Sequence, residues 1–346
     1  MKPLKKRQNQ IWKWLILTAL TVLVLAAGVS IGSADISVVD VWSILLYKLF
    51  GLPLTESIAP ISVSIVWSIR FPQVLMAFLV GASLAASGTV MQSVLRNPLA
   101  SSYTLGVSAG ASLMAAIVIV SGIAFLGRYT LPVAGFAGGL ATVFLAMALT
   151  MHFDRSLENQ TVILVGMVLS LFVNGLLTLV TALSSEHLAR LVFWQMGSFT
   201  GQTWGNAGLQ LVVLAAGLLF LQRYAREMDL MTFGDEQALS AGVDLRAAKL
   251  ILIVVGALLT GTAVSMVGVI GFVDLIAPHV VRRWFGSNHR VVVPVSALAG
   301  GVLMVLADMI GRTIIAPRQL PVGAVTALIG APFFAYLFFK RRRGEN

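Results

Sequence analysis

The chain has no cysteine among its 346 residues, which removes disulfides and thiolate metal ligands together. Charge is scarce: Asp, Glu, Lys and Arg make up 11% of the residues, where a soluble domain carries about 25%. Histidine is confined to His152, His187, His279 and His289, scattered without metal-ligand spacing, so a zinc or haem site made by this chain alone is not expected. No GxxxxGK[ST] loop and no HExxH pair occurs. The chain therefore cannot be an ATPase, and with no cluster of His, Asp and Glu it is not read as an enzyme.

What is present is apolar. Hydrophobic residues make up 58% of the chain and the mean hydropathy is +0.92, which indicates an all-α polytopic membrane protein. Spans of about 20 apolar residues are expected at 11–31, 72–92, 103–121, 131–151, 161–183, 207–221, 247–267, 271–282, 291–311 and 321–339. The first run is long for a signal peptide and reads as a retained span. The excess of basic residues, net charge +10, suits cytoplasmic loops better than nucleic acid. Ten spans place both termini in the cytoplasm. Only Lys48, Arg70, Arg128, Arg190, Arg312 and Arg318 then fall outside. The cytoplasmic set is Lys2, Lys5, Lys6, Arg7, Lys13, Arg96, Arg155, Arg223, Arg226, Arg246, Lys249, Arg282, Arg283, Arg290, Lys340, Arg341, Arg342 and Arg343. That is about a threefold bias. The openings Val80-Gly81-Ala82-Ser83-Leu84 and Val255-Gly256-Ala257-Leu258-Leu259 hint at inverted-repeat-like halves. Gly81, Gly88, Gly106, Gly110, Gly138 and Gly139, set among Ala and Ser, indicate close helix packing.

One polar interruption stands between the apolar blocks: Phe233, Gly234, Asp235, Glu236, Gln237, Ala238, Leu239, Ser240, Ala241, Gly242 and Val243. It predicts a helix of one or two turns that starts at acidic residues and stops at a glycine. On the cytoplasmic side such a helix suits a partner, which points to a transporter driven by a separate motor subunit. Ser170, Asn174, Thr178 and Thr181 share one helix face; that stripe either lines a path or bonds to neighbouring helices. Asp274 and Asp308 lie in or near spans, where acids are costly and functional or paired. They support a rival reading, a stand-alone ion-coupled secondary transporter.

Further motifs run in order along the chain. Ile69-Arg70-Phe71-Pro72 leads to Gly81, Gly88 and Gln92; Leu95-Arg96-Asn97-Pro98-Leu99-Ala100 and Leu105-Gly106-Val107-Ser108-Ala109-Gly110 follow. Then come Trp194-Gln195-Met196-Gly197-Ser198, Gly268 to Val273, Leu275-Ile276-Ala277-Pro278-His279, Leu306-Ala307-Asp308 with Arg312, and Leu320-Pro321-Val322-Gly323. In this order they resemble the FecCD-type permease subunits of ABC importers for iron–siderophore complexes, haem and cobalamin. The resemblance implies one transmembrane permease domain over 1–346: span one at 11–31, spans two to six within 72–221, a cytoplasmic coupling segment at 228–246 and spans seven to ten within 247–339. It implies a bacterial cytoplasmic membrane location and a dimer with a second permease chain, identical or similar. Two ATPase subunits would hold the ATP and Mg, this chain binding no cofactor, and an extracytoplasmic binding protein would deliver a ferric siderophore. Phe233–Val243 would dock on the ATPase, Arg70 and Arg312 would pair with binding-protein carboxylates at an outer rim, and Asn159 and Gln160 would fall at the cytoplasmic gate. Two departures stand out. Gln73 replaces a usual basic residue and removes a docking contact, and Asp274 replaces a usual glycine. A structural partner such as Arg282 or a backbone group is expected for Asp274, and helix-to-helix hydrogen bonding for Asp308.

Overall fold

The computed structural model describes residues 2–32, 36–54, 58–154 and 156–343, with side chains described within 11–336 of those ranges. Arg155 and the side chains of Lys2, Lys5, Lys6, Arg7, Lys340, Arg341, Arg342 and Arg343 lie outside the described set. Among the described residues every regular element is helical.

The order is α1 (Lys2–Ser30), α2 (Val38–Phe50), α3 (Pro60–Ser64), α4 (Phe71–Val94), α5 (Val107–Ser121), α6 (Thr130–Phe153), α7 (Asn159–Ala182) and α8 (Leu188–Gln195). It continues with α9 (Trp204–Arg223), α10 (Ala225–Thr232), α11 (Asp235–Ser240), α12 (Leu245–Val267), α13 (Val273–Phe285), α14 (His289–Thr313) and α15 (Val322–Arg343). Seven helical stretches among the described residues are long and apolar enough to cross a membrane: 11–30, 60–94, 127–153, 159–182, 204–223, 245–267 and 289–313. The expected spans at 103–121 and 321–339 correspond to shorter apolar helices at 107–121 and 322–336. The run expected at 271–282 forms α13, a helix of 13 residues with Pro278 inside it and Arg282 and Arg283 in its last turn.

The helix α4 occupies the interior. Nearly all of its residues are buried, and it packs against α9, α12, α13 and α14. Lipid gives helices no hydrophobic reason to associate, so association rests on close approach and interhelical hydrogen bonds. Both are present. A Cβ on Gly81 would overlap the Gly300 carbonyl of α14, and one on Gly88 would overlap the Asp274 carbonyl of α13. Ser87 donates to the Gly256 carbonyl at 2.9 Å and accepts from Thr260 at 2.9 Å, tying α4 to α12. Gln210 of α9 donates to Ser83 at 2.7 Å.

The entry to α4 is a π-helical turn, Ile65–Arg70, in which the Phe71 N–H bonds to the Val66 carbonyl. In that register the partner of the Trp67 carbonyl would be Pro72, which has no N–H. Trp204 of α9 supplies the missing donor, its Nε1 reaching the Trp67 oxygen at 3.0 Å. The indole also lies 4.8 Å from the Trp67 ring and 5.1 Å from the Phe71 ring. The motif Arg70-Phe71-Pro72 thus fixes where α4 begins.

Replacing Gly88 with alanine is expected to cost about 1–3 kcal/mol by overpacking, seen as a lower unfolding temperature in detergent. A variant as stable as the parent would contradict the α4–α13 contact.

Candidate functional site

The candidate residues fall at two ends of the bundle and along one helix between them. Arg70 precedes α4 and Arg96 follows it. The 24 residues of α4 rise about 36 Å at 1.5 Å each, so the two ends are a membrane thickness apart.

At the Arg96 end, Asp235–Ser240 forms a short helix entered through Gly234 at φ 125° and left through Gly242 at φ 83°. No side chain caps its start, and Asp235 is used differently from a cap. One carboxylate oxygen meets Arg96 at 3.3 Å and the other meets Lys249 of α12 at 2.9 Å. Ala238 is fully buried against the bundle, so it is not part of an outward apolar face. The outward groups are Phe233, 74% exposed, and Leu239, 57% exposed, with Glu236, Gln237, Ser240, Ala241 and Gly242 beside them. Val243 is half-buried and lines a recess of about 300 Å³ with Tyr224, Glu227 and Asp244.

Two neighbours of this helix were not legible in the sequence. Lys249 is 1% exposed, and its amine also donates to the Leu157 carbonyl at 3.0 Å. On α10, Asp229 Oδ1 accepts from the His289 backbone N–H at 2.9 Å and lies 2.6 Å from His289 Nδ1. A carboxylate only accepts, so Nδ1 carries the hydrogen. On the other side of the ring, Nε2 contacts Ser93 of α4, which also receives Arg282 of α13 at 2.7 Å. Arg282 is therefore engaged with Ser93 rather than with Asp274. The Asp274 carboxylate is met by the Ser101 hydroxyl and, as expected of a backbone partner, by the Asp274 and Leu275 N–H groups at the start of α13, and Gln92 donates to the Asp274 carbonyl at 3.3 Å.

At the opposite end, Arg70 and Arg312 do not form an exposed rim. They are 4% and 3% exposed. Arg312 donates to the Gly28 and Ile31 carbonyls at 3.1 and 3.2 Å, and Arg70 donates to the Ser30 carbonyl at 3.3 Å. The last carbonyls of a helix have no partner within it and carry its negative dipole end, so the two guanidinium groups close the end of α1. Arg312 Nε lies 2.9 Å from Asp308, and Gln73 donates to the other Asp308 oxygen at 3.0 Å. Gln73, expected only as a lost contact, is a partner of Asp308.

The stripe of α7 runs between the ends. Asn174 and Thr178 are exposed, Ser170 and Thr181 half-buried. Asn174, Thr178 and Thr181 line an open groove of about 620 Å³ with Leu177, Leu188 and Gln195. The hydroxyls of Ser170, Thr178 and Thr181 donate to carbonyls of their own helix four residues back. At the start of α7, Asn159 is buried with its Oδ1 lacking a hydrogen-bond partner, and Gln160 is exposed. The loop before it is organised by Asp154, which accepts from the Ser156 and Glu158 N–H groups at 2.8 and 2.7 Å and from the Ser156 hydroxyl. Those bonds, the Ser156 hydroxyl first, hold its carboxyl below the usual range.

Asp274 and Asp308 are both buried and held by neighbouring side chains, and neither lines the groove. Ion coupling through them is not favoured. The letters Gly106-Val107-Ser108-Ala109-Gly110 match the GxSxG spelling of a nucleophile elbow. They open α5 after a 3-10 turn, not after a strand, so the strand–turn–helix context of that motif is absent. No group of three or more metal-ligating His, Asp or Glu occurs among the described residues.

A family model described as the FecCD transport family matches residues 19–340. The chain belongs to the FecCD transport family. Its relatives include the uncharacterised ABC transporter permease protein YvrB of Bacillus subtilis, 36% identical over 99% of this chain and 97% of the relative. The hemin transport system permease protein HmuU of Yersinia pestis is 36% identical over 81% and 85%. Others are named for import of iron(3+)-hydroxamate, Fe(3+) dicitrate and cobalamin. A solved structure described as an inward-facing metal-chelate type ABC transporter aligns with TM-score 0.80 and 29% identity, covering 94% of this chain and 98% of that one. Membership of the FecCD family accounts for the order of the sequence motifs, while the roles of the residues rest on the geometry above.

Removing Asp308 by alanine leaves a buried guanidinium without its carboxylate and is expected to cost about 3–5 kcal/mol, read by thermal unfolding in detergent. No loss of stability would mean that Arg312 lies on an exposed rim after all. Because Asp154 has a lowered pKa, the order it confers is complete at neutral pH and is lost as pH falls through that lowered value. Protection of the Glu158 amide, its exchange rate relative to that of an unstructured peptide at the same pH, should be lost on acidification in the parent and be absent at every pH in Asp154→Ala.

Proposed function

We propose that this chain is the membrane subunit of a binding-protein-dependent ABC importer that carries a ferric siderophore across the bacterial cytoplasmic membrane. Family membership and the iron-chelate names of several relatives support the class of cargo. The haem and cobalamin names among the relatives are the competing cargoes. The observation that carries the mechanism is the Phe233–Val243 segment built around α11. It is anchored inward by Asp235 and Ala238, yet presents Phe233 and Leu239 outward. An ATPase subunit is the partner that such a face fits, and ATP and Mg belong to that subunit.

In this reading the chain crosses the membrane about ten times, the shorter α5, α13 and α15 completing the set, with both termini and α11 in the cytoplasm. The groove along α7 faces the pathway between two permease chains. The Thr178 and Thr181 hydroxyls in it already donate within the helix, which leaves a large chelate few strong sites at which to stall. The binding protein docks at the Arg70 and Arg312 end. There the two arginines stiffen the surface by closing α1, and direct pairing with binding-protein carboxylates would require them to leave their buried partners.

The reading is tested by reconstituting the chain with its cognate ATPase and binding protein in liposomes and measuring uptake of a ferric hydroxamate, haemin and cyanocobalamin. ATP-dependent uptake of the ferric chelate above the other two is the expected result. Uptake that follows an ion gradient without the ATPase would overturn the importer reading, and preference for haemin or cyanocobalamin would overturn the cargo.

A further inference from the structure

A lysine is rarely buried completely unless its charge is matched, and Lys249 is both buried and matched. Its amine sits between two pieces of chain that are remote in sequence. On one side is the Asp235 carboxylate, the first residue of α11, at 2.9 Å. On the other is the Leu157 carbonyl, at 3.0 Å. Leu157 lies two residues before α7, adopts a left-handed backbone at φ 54° and buries its side chain entirely. The loop that carries it is braced by Asp154. Neither partner of the amine is loose.

A buried ammonium that loses one partner retains its desolvation cost without the compensating attraction. Displacing α11 therefore drags Lys249, and through it the Leu157 carbonyl, unless the network breaks. Asn159 opens α7 just beyond and is buried at the head of that helix.

We propose that Lys249 is a positioning residue that transmits movement of α11 to the start of α7, joining the ATPase-facing helix to the end of the groove where Asn159 and Gln160 stand. This rests on the reading that α11 meets the ATPase. It adds a rigid connection through the loop before α7 to whatever motion α12 itself conveys.

The test uses the complete reconstituted importer with Lys249→Met, which keeps an unbranched apolar stem and removes the charge, and Lys249→Arg. Rates are read per bound ATPase, because Lys249→Met loosens the base of α11. The helix keeps its Arg96 pair and its buried Ala238, and ATP hydrolysis by the bound ATPase should continue. Uptake of ferric hydroxamate should fall about tenfold, so that the ATP hydrolysed per chelate rises by the same factor, and Lys249→Arg should recover most of the coupling. Lys249→Gln, which retains a donor for the Leu157 carbonyl, replaces the methionine variant should that one not fold. An unchanged ratio of hydrolysis to uptake overturns the proposal, whether both rates are normal or both fall together as a merely structural role requires. Failure of the parent chain to bind the ATPase at all would instead overturn the reading of α11.

Discussion

Because hydrocarbon tails are as apolar as leucine, helices in a bilayer associate only where their backbones come close or their polar groups pair, and in this protein both conditions centre on α4. Its glycines allow the carbonyls of Gly300 and Asp274 to sit where a side chain would otherwise be, and its serines bond to α9 and α12. The helix is consequently enclosed by protein. Everything attached to its two ends inherits a fixed separation. One end carries Arg70 and Gln73 into the cluster that closes α1, and the other carries Ser93 and Arg96 into the networks beneath α10 and α11.

The two networks at the Arg96 end give the short helices a definite mechanical character. α10 is held to α14 by Asp229 and His289, and α11 is held to α12 and to the loop before α7 by Asp235 and Lys249. A segment of so few residues could not keep a fixed pose through its own helical hydrogen bonds. Held through Asp235 by the buried Lys249 and by Arg96, α11 presents Phe233 and Leu239 on a stiff base, which suits a part that receives force from a partner.

Some of this was legible in the residues alone. The start and stop of α11 follow from Asp235, Glu236 and Gly242, because acidic first turns and left-handed glycines are local signals. The α4 entry was marked by Pro72. What was not legible depends on neighbours far away in sequence. Nothing near Arg312 shows that it reaches back to Gly28 and Ile31, so a basic residue at a span end reads as an exposed docking group. Gln73 looked like a loss until Asp308 stood opposite it. Asp274 gave no hint of Ser101, since the kink at Phe272, φ 70°, turns α13 towards the α4–α5 turn. α13 itself was marked as a span by its apolar residues, although its 13 residues and terminal arginines make it short.

The central claim is that Phe233–Val243 is the face on which the ATPase acts. The absence of cysteine permits a direct measurement, since Leu239→Cys becomes the only thiol in the chain. Its rate of reaction with a maleimide would be compared with and without the cognate ATPase bound, using Ile123→Cys, between α5 and α6, as the control. Strong protection at position 239 with no change at 123 is the predicted result. Equal labelling at 239 in the bound and free states would contradict it.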